Sequence, residues 1–233
     1  MTLRSRLDAS WASPRQTGVR VALVAVVLAV AAVPFLLLLL FVESRWGPLL
    51  ELDNGARDGL HSYALAHPTF VTIMRVISNS GSGPAWMGVT IALALVVLVR
   101  RQIRLALFVL VTNAGSSLLN GFVKTAVNRA RPVVNHPLLH EPGMSFPSGH
   151  AQAAVAGYGV LLFVVLPYVR GVWRRVVLLV AVLMVLAIGF SRIALAVHYV
   201  SDVLAAYVLG LAWLVAMASV FHVWRRTETR AAQ

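Results

Sequence analysis

The chain has 233 residues, of which 59% are hydrophobic and only 12% are charged, and its mean hydropathy is +0.82. Soluble domains carry about 25% charged residues, so this composition predicts a membrane protein whose length suits one domain, 1–233. The absence of cysteine excludes disulfides, thiolate catalysis and cysteine-bound metals. A net charge of +12 could indicate nucleic acid as a partner, but the arginines fall in short clusters between apolar runs. Loops of membrane proteins have this distribution. We therefore expect membrane lipids as partners and no nucleic acid.

Six apolar stretches are long enough to cross a bilayer, which requires about 20 apolar residues. They predict an all-α, polytopic bundle with six transmembrane helices, at roughly 20–42, 83–99, 104–127, 150–169, 173–192 and 200–223. The apolar run at 21–42 is too long for the core of a cleaved signal peptide. It is therefore interpreted as an uncleaved membrane anchor.

Clusters of arginine predict how the six helices are oriented. One cluster precedes the first span, and the others follow the second, fourth and sixth spans, so all four lie on one side. The positive-inside rule makes that side the cytoplasm and predicts a multi-pass cell-membrane protein with cytoplasmic ends, 1–19 and 224–233. The outer side then receives the loop 43–82, in which 56–80 mixes apolar and charged positions. An interfacial helix is preferred there over a seventh span, which would break the charge rule.

The first group of candidate site residues lies at the outer end of the third span. Lys124 is the only lysine of the chain, against 19 arginines, and Arg131 follows it seven residues later, directly before Pro132. Positions seven apart share one face of a helix, so both cations could reach one anion; Arg129 lies between them in the sequence. A lysine that snorkels beside interfacial arginines explains the pattern equally well when it is taken alone.

The second group is Pro147-Ser148-Gly149-His150, at the outer start of the fourth span. Ser148 is a plausible N-cap, and a helix N-terminus offers free backbone N–H groups to an anion. Gly149 would let a phosphate approach the backbone closely, and His150 beside it could donate a proton to a leaving oxygen. The alternative is an ordinary cap next to an interfacial histidine.

The third group is Ser191-Arg192-x5-His198-x3-Asp202, between the fifth and sixth spans. An acid inside a membrane segment is costly and therefore indicates function. Four residues separate His198 from Asp202, which makes them neighbours on one helical face. An aspartate that accepts from one imidazole nitrogen leaves the other nitrogen free to attack, while Arg192 adds a guanidinium for phosphate. A purely structural His–Asp contact is the alternative.

The predicted topology brings all three groups to the same outer membrane edge. The third and fifth spans end there, and the fourth and sixth begin there. A transporter that relays protons through these residues is a rival interpretation from another functional class. It predicts ionisable residues near the bilayer midplane in broken helices, whereas here they cluster at one edge.

Together the three groups resemble the three-part signature of the type 2 phosphatidic acid phosphatase family, which is related to the vanadium haloperoxidases. The order and spacing agree at every signature position, over about 124–210. The resemblance implies a haloperoxidase-like helical core and a metal-independent lipid phosphatase without a cofactor. It implies that His198 is the nucleophile oriented by Asp202, and that His150 is the acid and then the base. The groups implied to hold the phosphate oxygens are Lys124, Arg131, Ser148, Gly149 and Arg192.

The resemblance leaves the lipid open. Similar bacterial proteins include undecaprenyl-diphosphate phosphatases and phosphatidylglycerophosphate phosphatases, and the implied substrate is a lipid phosphomonoester or diphosphate of the undecaprenyl diphosphate, phosphatidate or phosphatidylglycerophosphate class. An outward-facing site suits undecaprenyl diphosphate. Transfer of the same phosphoryl group to an alcohol instead of water remains an alternative reaction. Neither the substrate nor the oligomeric state can be determined from the sequence.

Overall fold

The computed structural model of the chain describes residues 14–231, which fold into α-helices with one short 3₁₀ turn at Leu166–Tyr168 and no strand. The helices are α1 (Pro14–Glu43), α2 (Gly47–Ala66), α3 (Pro68–Ser80), α4 (Gly83–Val99), α5 (Ile103–Val127), α6 (Gly149–Val165), α7 (Val172–Ala194) and α8 (Val200–Ala231). Every predicted span falls on one of them, so the predicted all-α bundle is confirmed. Of the predicted cytoplasmic ends, 1–13 and 232–233 lie outside the described residues.

Four of these helices are long and apolar enough to cross a membrane alone: α5, α6 with its 3₁₀ turn, α7 and α8. Two bent pairs qualify only when each is taken as one span. Residues 32–43 of α1 meet α2 at 85°, and α3 meets α4 at 41°. By itself α4 has 17 residues. The described part of the chain is therefore a membrane bundle with four to six spans.

The segment 43–82, expected to be a loop with one interfacial helix, contains two helices instead. The helix is interrupted at His67, and the next residue, Pro68, begins α3. Proline lacks the N–H that would continue a helix and disfavours helical geometry at the residue before it, so it ends α2 and starts α3. The break divides 56–80 between the two helices.

Helix α5 ends at Val127, because Asn128 adopts a left-handed conformation with φ 51° and donates its backbone N–H to the carbonyl of Lys124. Arg131 therefore lies beyond the helix, and the expectation that it shares a helical face with Lys124 is wrong. The irregular segment 128–148 then runs to α6. Ser145 fastens it by donating its backbone N–H to the carbonyl of Arg129 at 2.9 Å and its Oγ–H to that of Ala130 at 2.9 Å.

Helix α8 is the centre of the bundle, and it packs against α1, α5, α6 and α7. Small side chains bring the starts of α6 and α8 together through Ala151, Val203 and Ala206. Helices α7 and α8 meet at Gly189, where a Cβ atom would lie 1.9 Å from Tyr207 Oη and 2.7 Å from Val203 Cγ1. This close packing sets the positions of the helix ends described below.

We expect Gly189→Ala to lower the unfolding temperature, because the added methyl would overlap Tyr207 and Val203 and force α7 and α8 apart. Overpacking of this kind costs about 1–3 kcal/mol. Gly88→Ala is the matched control, since a Cβ at this helical position in α4 meets no atom within 4 Å. Thermal unfolding in detergent would contradict the packing if both variants unfolded at the wild-type temperature.

Candidate functional site

The candidate site lies at one end of the bundle, called here the site end. It contains the C-terminal turns of α5 and α7, the N-terminal turns of α6 and α8, the segment 128–148, and the connection 195–199. A backbone hydrogen bond from Ser148 N to Asp202 O, 3.0 Å long, joins the starts of α6 and α8. The three sequence groups therefore meet in space, as their order along the predicted spans required.

The pair His198 and Asp202 is buried completely, with side-chain exposures of 1% and 0%. His198 Nδ1 lies 3.3 Å from Asp202 Oδ2, which also accepts from the backbone N–H of Tyr199 at 2.9 Å. The pair was expected on one helical face, but α8 begins at Val200 and His198 precedes it. Their contact instead accompanies a capping interaction, in which Asp202, in the first turn of α8, accepts the backbone N–H of Tyr199, the residue directly after His198.

A neighbouring arginine determines which tautomer of His198 fits the site. Arg131 Nη1 lies 3.2 Å from His198 Nε2. Because a guanidinium has only donors, Nε2 accepts in this contact and carries the lone pair. The imidazole proton is then on Nδ1 and is donated to Asp202. The arrangement leaves Nε2 as the basic, electron-rich atom that faces the site.

Arg131 is held mainly by backbone carbonyls. Its Nη1 donates to Val197 O at 2.9 Å, while Nε and Nη2 donate to Gly143 O and Pro142 O at 3.1 and 3.2 Å. Its ion pair with Glu141 is longer, with 4.0 Å between Nη2 and Oε2, so neutral acceptors make the shorter contacts. The guanidinium is therefore both fixed in position and available to an anion.

Arg192, in the last turn of α7, is 1% exposed and has two partners from distant segments. Its Nη1 donates to Ser78 Oγ at 2.6 Å, and its Nη2 donates to Glu141 Oε1 at 2.7 Å. Its Nε has no hydrogen-bond partner among the described residues, and neither does the buried Oγ of Ser148. Both atoms can donate a hydrogen bond, so an anion at the site end could accept from them.

The remaining candidates line the same region. Ser148 occupies the N-cap position of α6, but its side chain makes no capping bond. His150, in the first turn of α6, is partly buried and has no hydrogen-bond partner within 14–231. Lys124 donates to the carbonyl of Met144. A Cβ at Gly149 would meet only Asn120 Oδ1, at 3.4 Å, so protein packing does not itself require glycine there.

Burial and local charge shift the pKa values of His198 and Glu141, two groups of the site end that lie outside the helices. Burial lowers the pKa of His198 to about 4, although the hydrogen bond to Asp202 acts in the opposite direction. Partial burial, the largest single influence, would raise the pKa of Glu141, but the hydrogen bond from Arg192 and the positive charges of Arg192 and Arg131 together hold that pKa below its usual value. At neutral pH His198 is therefore uncharged and Glu141 is ionised.

The described residues contain no group of three or more His, Cys, Asp or Glu side chains that could hold a metal ion. The acids of the site end are paired with arginines instead. Two of them, Asp53 and Asp202, bind Arg129 at 2.9 and 2.6 Å. The predicted absence of a metal and a cofactor remains a prediction.

Sequence reasoning missed four residues of the site end: Asp53, Ser78, Glu141 and Ser201. Asp53 lies on α2, in the segment interpreted mainly as a loop, and is 1% exposed. A signal was present, because Asp53 follows the buried Leu49 by four residues and so belongs to the inward face of α2. For Ser78 and Glu141 we find no comparable local signal.

Comparison with known proteins agrees with this architecture. The family model described as PAP2 superfamily matches residues 105–226, slightly more than half of the chain. A curated relative, phosphatidylglycerophosphatase B of Bacillus subtilis (strain 168), is 40% identical over 97 residues, which are 40% of this chain and 47% of the relative. The matched region thus spans about half the length of that relative.

A solved structure has the same fold. It is described as the crystal structure of the first transmembrane PAP2 type phosphatidylglycerolphosphate phosphatase from Bacillus subtilis. The TM-score is 0.74 at 24% identity, and the alignment covers 82% of this chain and 94% of the other. The motifs, the polytopic helical fold and the match over 105–226 lead to one conclusion: the chain belongs to the PAP2 superfamily.

Proposed function

We propose that this protein is a membrane phosphatase that hydrolyses a lipid phosphate through a phosphohistidine, with phosphatidylglycerophosphate as the first substrate to test. The observation that carries the proposal is the state of His198, whose Nδ1 faces Asp202 while its Nε2 faces an arginine. The relatives support the substrate class, because both are described as phosphatidylglycerophosphate phosphatases.

The proposed reaction has two steps, formation and hydrolysis of the phosphohistidine. In the first, His198 Nε2 attacks the phosphorus, the bond from phosphorus to the lipid oxygen breaks, and His150 gives that oxygen a proton. In the second, His150 takes a proton from water, the water oxygen attacks the phosphorus, and the P–N bond breaks to release inorganic phosphate. Asp202 stabilises the positive charge that the imidazole carries between the two steps.

Protein cations take the place of a metal in this mechanism. Lys124, Arg131 and Arg192, with the free hydroxyl of Ser148 and the N–H groups at the start of α6, bind the phosphate oxygens and the charge that develops on them. Arg131 has a second task. Its contact with His198 Nε2 must move to a phosphate oxygen before that nitrogen can attack. The lone pair is thereby exposed only when a phosphate is bound.

The site end is proposed to face the outside of the cell. Arg100 and Arg101 follow α4, Arg170 precedes α7, and Arg174 lies in the first turn of α7, so all four belong to the opposite end of the bundle. The positive-inside rule assigns that end to the cytoplasm, which supports an extracytoplasmic site and a substrate taken from the outer leaflet.

The purified protein should release inorganic phosphate from phosphatidylglycerophosphate in detergent, and excess EDTA should not change the rate, because side-chain cations neutralise the phosphate. For the histidine variants described next, His140→Ala is the matched control and should keep the wild-type rate, since His140 lies exposed in the segment 128–148. Activity that disappears in EDTA and returns with magnesium would contradict the metal-independent mechanism. Phosphatidate and undecaprenyl diphosphate, tested in parallel, identify the preferred lipid.

The two histidines should respond differently to the leaving group. His198→Ala removes the nucleophile and should reduce kcat roughly 1,000-fold or more on every substrate. His150→Ala should retain much of its rate on an aryl phosphate, whose leaving group departs without a proton, and lose most of it on an alkyl phosphate. Equal sensitivity of the two variants to leaving-group quality would show that these roles are wrongly assigned.

The acid side of the pH profile should lie well below 6.5, the ordinary pKa of histidine. Attack requires neutral His198, whose pKa is about 4, so activity is present above that pH and is lost as the pH falls through it. Besides burial, Arg192 and Arg131 lower this pKa, whereas Asp202 raises it. The measurement is kcat/KM against pH in detergent.

The substrate itself complicates that profile, because the second ionisation of a phosphomonoester has a pKa of about 6. Two substrates whose phosphate pKa values differ separate the contributions, since a limb that belongs to the enzyme stays at the same pH for both. A common acid limb near 6.5 would mean that His198 is not depressed and would contradict the prediction.

A further inference from the structure

Helix α2, which lies before the matched family region 105–226, contributes a buried acid to the site end. Asp53 is 1% exposed and uses both carboxylate oxygens. Oδ1 accepts from the backbone N–H of Ser201 at 2.9 Å, and Oδ2 accepts from Ser201 Oγ at 2.5 Å and from Arg129 Nη2 at 2.9 Å. The acid therefore binds both the first turn of α8 and a guanidinium from the segment 128–148.

Arg129 connects this acid to the candidate nucleophile. Its Nη2 is bound by Asp53, while its Nη1 donates to Asp202 Oδ1 at 2.6 Å and to Ser201 Oγ at 2.7 Å. The guanidinium also lies over the ring of Tyr199, 4.3 Å from the centroid. Because Oδ1 of Asp202 is occupied by Arg129, the oxygen left for His198 is Oδ2.

The charges of this chain matter as much as its geometry. One partly buried guanidinium lies between two buried carboxylates, so Arg129 compensates only part of the negative charge. If Asp53 were neutral, Arg129 would pair with Asp202 alone and would draw electron density from the oxygen that accepts the imidazole proton. His198 would then be a poorer nucleophile, although it and its direct partner would still be present.

We propose that Asp53 is a positioning residue for the reaction: acting through Arg129, it holds Asp202 in the orientation and charge state that direct His198 Nε2 toward the phosphorus. The proposal rests on the phosphatase function proposed above. Asp53 is connected to His198 through Arg129 and Asp202, so we do not expect it to touch substrate. The proposed phosphate-binding groups Lys124, Arg131 and Arg192 bind other partners among the described residues.

Asp53→Asn is the informative substitution, because asparagine keeps the size of the side chain and an oxygen for Ser201 N but removes the charge. We expect kcat on the lipid phosphate to fall about 10-fold or more, equivalent to about 1.4 kcal/mol, with KM within twofold of wild type. The control is Glu51→Gln, which removes one negative charge from an exposed position on the same helix and should leave both constants unchanged.

A double substitution tests whether Asp53 acts through Arg129. Arg129→Gln leaves two buried carboxylates without their cation and should lower the unfolding temperature strongly. Adding Asp53→Asn removes one of these unpaired charges, so the double variant should unfold at a higher temperature than Arg129→Gln alone. This stability measurement does not depend on phosphatase activity. Independent, additive losses of stability would overturn the coupling.

The activity results then separate the two proposals. A wild-type protein that releases no phosphate from any lipid phosphate overturns the proposed function and this inference with it. An active wild type with an Asp53→Asn variant that keeps its kcat, or that loses activity only through a raised KM, overturns the inference alone. Should Asp53→Asn fail to fold, Ser201→Ala removes the hydroxyl that bridges Asp53 and Arg129 beside their direct ion pair. It should lower kcat severalfold at constant KM, and an unchanged kcat overturns the inference.

Discussion

A carboxylate with no solvent exposure at the start of a membrane helix is the constraint on which the site end depends. Asp202 cannot remain ionised there unless donors surround it, because an unpaired buried charge costs several kcal/mol. The donors come from three places: the guanidinium of Arg129, the backbone N–H of Tyr199 and the imidazole of His198. Satisfying one acid thus gathers the segment 128–148, the connection 195–199 and the first turn of α8 around a common point.

The local patterns in the sequence predicted the parts of the molecule that depend on local interactions. Long apolar runs gave the membrane helices, and the polar groups between them gave the edge at which the site lies. The contact between His198 and Asp202 followed from their spacing, although its cause is a capped helix start and not a shared helical face. The prediction that Lys124 and Arg131 share a helical face is wrong because α5 ends between them. Asparagine favours the left-handed conformation that Asn128 adopts at this helix end, so the sequence did contain a signal for it.

The hydrogen-bond network around the site end could not be predicted in the same way, because its members are far apart in the chain. Asp53 and Ser201 are separated by 148 positions, Ser78 and Arg192 by 114, and Glu141 and Arg192 by 51. No periodicity connects such residues, and their pairing depends on how α2, α3 and α7 pack. The acids of α2 also lie in the segment 43–82, which was predicted to be a loop. A charged residue in a loop is normally solvated, so it does not indicate a buried ion pair.

The position of Arg129 between two acids has a consequence for how the protein assembles. Its partners lie on α2 and α8, and neither acid can be buried alone without leaving charge uncompensated in a poorly solvating environment. The site end is therefore expected to form in one cooperative folding step, in which α2 packs against α8 as the ion pairs of Arg129 form. The region 105–226 and α2 are then expected to behave as a single folding unit, so local unfolding of α2 would also remove the contacts that support Asp202 and His198.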